Sequence, residues 1–427
     1  MKLSNYNSAL KNKKGVFYFL GFYQKKYMLT FILVNLFVAL SGFIRSFVFM
    51  KIYDFQELGT LTIVNTSAML LGFMQLGLLN GGYRIVSLGK QELSVKTNNV
   101  VFSYFFSLLI AVLVVASIAL FNGYLKNNNF LFTSILLGIS MLVSNWLTNV
   151  LTGAKDYKNL NLANITSSII SLFCLVFVID YGLNIAILSL LIQPCIFISI
   201  VLIRRKDLRP IKFELDFTHI NYILGFGFIP FLSGMFILIF QQIERWSINM
   251  ILGPDALGKM YMVFISLTLW TLIPSSINNL YFPKSIRAYS EGAIYEMKRL
   301  FTQYMKVLIV YSCIGFFLIL FILPSLVGIL LPNHLPYLFL VNIALPGFVF
   351  RNLSDPISLF LNSIVRLKHL LWSDILSTVF YSIAIIILYY SNNFTLSNSL
   401  LCFSGYNLFR FLYLYFIYLK INKNRAV

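Results

Sequence analysis

Gly225 to Tyr261 reads GFGFIPFLSGMFILIFQQIERWSINMILGPDALGKMY, an apolar run that ends in the polar group Gln241, Gln242, Glu244 and Arg245. In a water-soluble chain this would be an ordinary helix end. The remaining sequence excludes that reading: of 427 residues 59% are hydrophobic and 11% charged, with mean hydropathy +0.82, against roughly 25% charged residues in a soluble domain. The stretch is therefore a membrane span whose Glu-Arg pair lies at or below the membrane surface. Ionisable groups at that depth are costly to desolvate and usually face a cavity or a partner.

Working outward from it, apolar segments of about 20 residues, the length that crosses a bilayer, recur twelve times along the chain. The expected fold is an all-α polytopic membrane protein of about twelve helices. The largest polar interruption, RRKDLRPIKFELDF from Arg204 to Phe217, divides them into two sets of six. This gives a tail at 1–26, an N-lobe at 27–203, a linker at 204–219, a C-lobe at 220–419 and a second tail at 420–427. The longest loop on the side away from the tails is expected from Trp246 to Leu257. Two segments suggest a repeat: RSFVFMKIYDFQELG (Arg45 to Gly59) and RWSINMILGPDALG (Arg245 to Gly258) each open on Arg and close on Leu-Gly. Halves with an even number of helices share one orientation, as in transporters built from parallel repeats.

The net charge of +19 does not point to nucleic acid, because its distribution follows the spans. The segments on the tail side hold 25 of the 33 Lys and Arg, and the opposite loops hold Lys51, Lys126 and Lys259. The positive-inside rule then places both termini in the cytoplasm. Residues 1 to 26 are polar and basic, which reads as a cytoplasmic tail and not as a signal peptide.

Catalysis by the chain is not expected. Cys174, Cys195, Cys313 and Cys402 fall in apolar runs without CxxC spacing, so neither a disulfide framework nor a zinc site is indicated. His219, His334 and His369 lie far apart at predicted helix ends. Neither a metal site nor a cofactor site follows from the residues.

Phe226 to Tyr261, with Gly227 to Pro230 at its start, Glu244-Arg245, and the LGPDALG turn from Leu252 to Gly258, resembles the seventh helix and following loop of polysaccharide exporters in the multidrug/oligosaccharidyl-lipid/polysaccharide (MOP) superfamily. LYFPKSIRAYSEG (Leu280 to Gly292) is similar to that family's eighth helix end, and Phe316 to Leu331 to its ninth helix. Among these exporters the O-antigen unit flippases are most similar, although they commonly have Asp where this chain has Glu244. The resemblance implies a two-lobed alternating-access transporter in the bacterial inner membrane. Its cargo would be an isoprenoid-diphosphate-linked oligosaccharide moved from inner to outer leaflet, with membrane lipids, a proton or sodium counter-ion and other polysaccharide-assembly proteins as partners. A cation-coupled small-molecule or drug exporter of the same superfamily is the first alternative, and a membrane glycan polymerase or ligase the second.

The residues bear on this separately. Arg45, Arg84, Arg245, Arg351 and Arg410 fall within predicted spans, and guanidinium groups lining a cavity match diphosphate oxygens with charge-assisted, often bidentate hydrogen bonds. All five are candidate substrate-binding residues. Arg84 lies near the tail-side end of its helix, where anchoring to lipid headgroups is an equal reading. Asp355 stands four residues after Arg351, on the same helical face. The two are either an internal ion pair or a pair in which Asp355 exchanges Arg351 for a proton or sodium ion. Glu244 is a second ion-coupling candidate, and Asp374 is expected to be solvated.

Overall fold

In a computed structural model of the chain, the described residues are Thr30 and residues 33–87, 91–121, 129–178, 182–210, 212–364 and 366–424. The basic tail at 1–26 and Lys126 lie outside them. The described residues form helices and turns. α1 is Leu33–Ile52, α2 Phe55–Leu70, α3 Leu78–Ser87, α4 Gln91–Phe121, α5 Asn129–Gly153, α6 Tyr157–Phe173 and α7 Leu183–Arg204. After the linker come α8 Phe217–Leu252, α9 Pro254–Lys259, α10 Tyr261–Ser290, α11 Ile294–Phe317, α12 Leu323–Leu330, α13 Phe339–Ser363, α14 Leu367–Tyr390 and α15 Leu396–Asn424.

Among the described residues, eleven helical segments are long and apolar enough to cross a membrane. α13 is a further helix of 25 residues, at the place of the tenth predicted span. Its Asn342, Arg351, Asn352, Asp355 and Asn362 interrupt the apolar run. α11 and α12 form one continuous crossing, joined by a π-helical turn at Leu318–Ile322.

Two local features differ from the sequence reading. The second span is not one helix. A 3₁₀ turn at Leu71–Gln75 ends at Leu76 (φ 52°) and Gly77 (φ 100°) before α3 begins. A side chain at Gly77 would meet the Gly227 carbonyl, 2.8 Å from the added carbon, so glycine is required there both by the left-handed backbone and by the approach of α8. The loop expected from Trp246 to Leu257, the longest of a set of short ones, is also absent. α8 continues to Leu252, breaks at Gly253 (φ 88°), and the chain re-enters a helix at Pro254. Proline at a first helical position forfeits no hydrogen bond, so LGPDALG reads as a one-residue break between two helices.

The N-terminal half packs around buried Trp146, whose Nε1 donates to Asn98 Oδ1 at 3.0 Å while Asn98 Nδ2 donates to the Leu208 carbonyl at 2.9 Å. The C-terminal half packs chiefly through α13 against α15, where Ser404 Oγ accepts from Gly347 N at 3.2 Å and donates to the Ile343 carbonyl at 3.2 Å. α8 begins at Asp216, which caps it by accepting from His219 N at 3.0 Å and pairs with Lys96 of α4 at 2.7 Å. The Lys96 hydrogen bond, helped by His219 N–H, brings the Asp216 carboxyl down to about 2.

The halves meet along α2 and α3 against α8 and α9. At the end remote from the linker the contact is reciprocal: a side chain at Gly59 would run into the Pro254 carbonyl, and one at Gly258 into the Phe55 carbonyl. Phe55 and Pro254 are the first residues of α2 and α9, and the two glycines each lie four residues further on. Each half therefore presents the same helix start to the other, the self-complementary pattern of a two-fold contact. This closed end is called the seam below.

Candidate functional site

Between the halves lies a cavity of about 470 Å³. Its N-terminal wall comes from α1 (Arg45, Ser46, Phe49), α2 (Leu61, Thr62, Asn65, Met69), α5, α6 and α7. α8 contributes Arg245, and α10 contributes Tyr261, Phe264, Ile265 and Thr268. No Asp, Glu, Lys or His lies among the described lining residues, whose two permanent charges are Arg45 and Arg245.

Both guanidinium groups are held by neutral groups. Arg45 Nη1 donates to Ser171 Oγ at 3.0 Å and to Gln193 Oε1 at 2.9 Å. Ser171 is itself fixed by donating to the Ser189 carbonyl at 2.9 Å. Arg245 Nη1 donates to Thr66 Oγ1 at 3.2 Å, and its Cζ stands 4.9 Å from the centre of the Phe264 ring. The buried Nε of Arg245 has no hydrogen-bond partner. Among the described residues, neither arginine has a carboxylate within salt-bridge distance. A buried cation solvated by hydroxyl, amide and ring leaves donors and net charge over for an anion.

Glu244 is buried and projects from α8 elsewhere, because successive residues on a helix are about 100° apart. It interacts electrostatically with its neighbour Arg245 and, within the C-terminal half, with Arg351. Arg351 and Asp355 are both half-buried on α13 and make no salt bridge with each other. They belong to a wider cluster in which Arg351 interacts electrostatically with Asp355, Arg410 and Glu244. Next to Arg351, Asn352 is fully buried with neither side-chain oxygen nor nitrogen hydrogen-bonded. Arg410 donates from Nε to Asp374 Oδ1 at 2.7 Å, and Ser233 Oγ donates to Asp374 Oδ2 at 2.7 Å.

The sequence candidates thus divide into three places. Arg45 and Arg245 are brought together at the cavity. Glu244, Arg351, Asp355 and Arg410 gather inside the C-terminal half. Arg84 stands apart at the surface, with Cζ 5.3 Å from the ring centre of Phe226. Asp374 corrects the sequence reading: it is 1% exposed and ion-paired, because α14 starts at Leu367 and carries it about two helical turns inside, facing α8 and α15. Gln193, Ser171, Thr66 and Phe264 were not singled out from sequence. Gln193 had a signal, a long amide beside Pro194 in an otherwise apolar span, and polar groups in a span are functional candidates.

No protein-family model and no curated protein matches the sequence. Solved structures do. An inward-facing multidrug resistance MATE family transporter of the MOP superfamily superposes with a TM-score of 0.72 at 12% identity, covering 93% of this chain and 99% of that one. The lipid II flippase MurJ in an inward closed conformation gives 0.67 at 14%, covering 91% and 87%. A MOP superfamily transporter from Pyrococcus furiosus, described as having a binding pocket of reverse polarity, gives 0.63 at 13%, covering 93% and 96%. The chain is a multi-pass membrane protein with the two-lobed fold of MOP superfamily transporters, a fold shared by drug exporters and a lipid flippase.

Proposed function

We propose that this protein is a flippase that moves an isoprenoid-diphosphate-linked oligosaccharide, an O-antigen or related polysaccharide repeat unit, across the bacterial inner membrane by alternating access. The observation that carries the reading is the cavity with two guanidinium groups and no carboxylate. An anionic diphosphate cannot enter hydrocarbon unaided, and two arginines with neutral partners offer it the charge that it must otherwise lose with its water. A cavity of about 470 Å³ is within the range of about 300–1,000 Å³ for small-ligand sites. It admits a headgroup and leaves the sugars in the aqueous opening and the isoprenoid chain in lipid. The lipid cargo named for the flippase MurJ fits the same reading. An exporter of organic cations would need a cavity dominated by carboxylates.

The proposed roles follow the geometry. Arg45 and Arg245 hold the diphosphate. Glu244 and Asp355, with the unpartnered Asn352 beside Arg351, take the coupling proton or sodium ion. Arg351 and Arg410 balance the carboxylates around them, and Arg84 meets lipid headgroups. The tails lie in the cytoplasm, as the charge distribution indicates.

The test is translocation of a fluorescent isoprenoid-diphosphate oligosaccharide in proteoliposomes. The wild type is compared with Arg45→Gln and Arg245→Gln at matched protein levels. Flipping by the wild type and its loss in both variants supports the reading. Absence of flipping under imposed proton and sodium gradients, together with efflux of organic cations, overturns it in favour of a drug exporter.

A further inference from the structure

The seam is closed by one aromatic cluster with a histidine inside it. His334 lies in the short 3₁₀ link between α12 and α13 and is 2% exposed. Its ring meets Phe55, the first residue of α2, edge to face with centroids 5.1 Å apart, and Tyr337 meets the same ring at 5.0 Å. His334 Nε2 is 3.0 Å from the Met50 carbonyl near the end of α1. A carbonyl can only accept, so Nε2 carries the proton. Nδ1 is buried with no hydrogen-bond partner. The C-terminal half thus holds the N-terminal half through a neutral imidazole whose second nitrogen has been removed from water without compensation.

The surrounding charges do not offer a partner for a second proton. α1 and the turn after it bring Lys51, Tyr53 and Asp54, and α2 brings Glu57. Asp54 and Glu57 are engaged with each other in a helix cap, Glu57 N donating to Asp54 Oδ1 at 2.8 Å and Asp54 N to Glu57 Oε2 at 3.2 Å. α9 brings Asp255 and Lys259, paired with each other at 2.6 Å. The Lys259 ammonium stands 5.1 Å from the ring centre of Tyr337 and 6.0 Å from that of Phe55, so a cation already occupies this cluster. No carboxylate forms a salt bridge or hydrogen bond with His334 among the described residues.

We propose that His334 is a proton-binding site which opens the seam when it is occupied. Protonation makes Nδ1 a donor with no acceptor in a buried space and adds a second positive charge beside Lys259. Both penalties disappear when Phe55 and Met50 withdraw and water reaches the ring. Burial also pushes the imidazole below its ordinary value, with the Met50 hydrogen bond acting against that. The sign follows: the closed seam binds fewer protons than the open one, so it is fully favoured above about pH 6.5 and loses ground as pH falls below that. By the charge distribution the seam lies on the side opposite the tails. Acid on that side therefore opens that side, so a proton gradient would act on the gate directly. This use of the gate rests on the alternating-access reading, whereas the pH-dependent opening does not.

The experiment needs no substrate, so its outcome is separate from that of the flipping assay. Spin labels are placed at two exposed positions either side of the seam, Lys51→Cys at the end of α1 and Met250→Cys at the end of α8. The four native cysteines are replaced by serine. Their separation is measured by pulsed electron resonance in nanodiscs from about pH 8 to about pH 5, spanning histidine titration. The distance distribution of the His334 protein is expected to shift to longer values on acidification, and that of His334→Gln, whose amide can still donate to Met50, to stay short throughout. His334→Asn serves as the neutral variant if Gln does not fold. An unchanged distance in the His334 protein overturns the proposal, and so does an equal shift in the neutral variant.

Discussion

Arg410 Nε meets Asp374 Oδ1 at 2.7 Å inside the C-terminal half, where the Asp374 side chain is 1% exposed and Arg410 13%. The second carboxylate oxygen accepts from Ser233 Oγ at 2.7 Å. This pair ties α8, α14 and α15 together. Removing one member of a buried pair leaves an unpaired charge and costs about 3–5 kcal/mol, whereas replacing both with apolar groups is often neutral. Arg410→Met is expected to lower the thermal midpoint of the purified protein by several degrees. Arg410→Met/Asp374→Leu should recover most of that loss. An Arg410→Met variant as stable as the wild type would show that the pair contributes nothing.

Gln193 aims Arg45 without carrying charge itself. Gln193→Leu leaves Arg45 held through Ser171, so affinity for an anionic amphiphile is expected to fall by a few fold, about 1 kcal/mol for one hydrogen bond. Arg45→Gln should fall further, by tenfold or more. Fluorescence binding of a short-chain isoprenyl diphosphate measures both, and an equal effect of the two substitutions would remove the positioning role.

Glu244 and Asp355 are expected to set the dependence of transport on an ion gradient. In proteoliposomes Glu244→Gln and Asp355→Asn should each leave binding of the headgroup in place while abolishing acceleration by an imposed proton or sodium gradient. Acceleration that persists in both variants assigns coupling elsewhere.

Gly59 and Gly258 face the backbone of the opposite half, at Pro254 and Phe55. Backbone cannot give way as a flexible side chain can, so Gly59→Ala and Gly258→Ala are each expected to part the seam at neutral pH. Faster labelling of a cysteine at Met50, buried beside His334 in the closed state, would report it. Unchanged labelling in both variants would mean that the halves absorb the methyl group without opening.

How far the sequence could be read follows from the range over which each feature is decided. Spans are local: a run of about 20 apolar residues declares itself, and α13 was read in that way despite its polar residues. The Arg45 to Gly59 and Arg245 to Gly258 segments were legible as similar because each carries its own helix break. That their closing glycines would be pressed against each other's helix starts was not. The end of α8 was misread because the polar group from Gln241 to Arg245 closes the apolar run, while the helix continues to Leu252.

By itself the sequence determined that this chain is a polytopic membrane protein built of helices, and that guanidinium groups outnumber carboxylates among the charges placed in those helices. Only the tertiary structure decided which arginines share a cavity. The partners of Arg45 lie 126 and 148 positions away, those of Asp374 36 and 141. Adjacent Glu244 and Arg245 meet different neighbours, Arg351 and Thr66, because a single helical step turns their side chains apart. Hydrophobic length is a property of one segment, whereas the partner of a buried charge is set by which faces meet when all the segments pack. That choice separates a binding cation from a structural one.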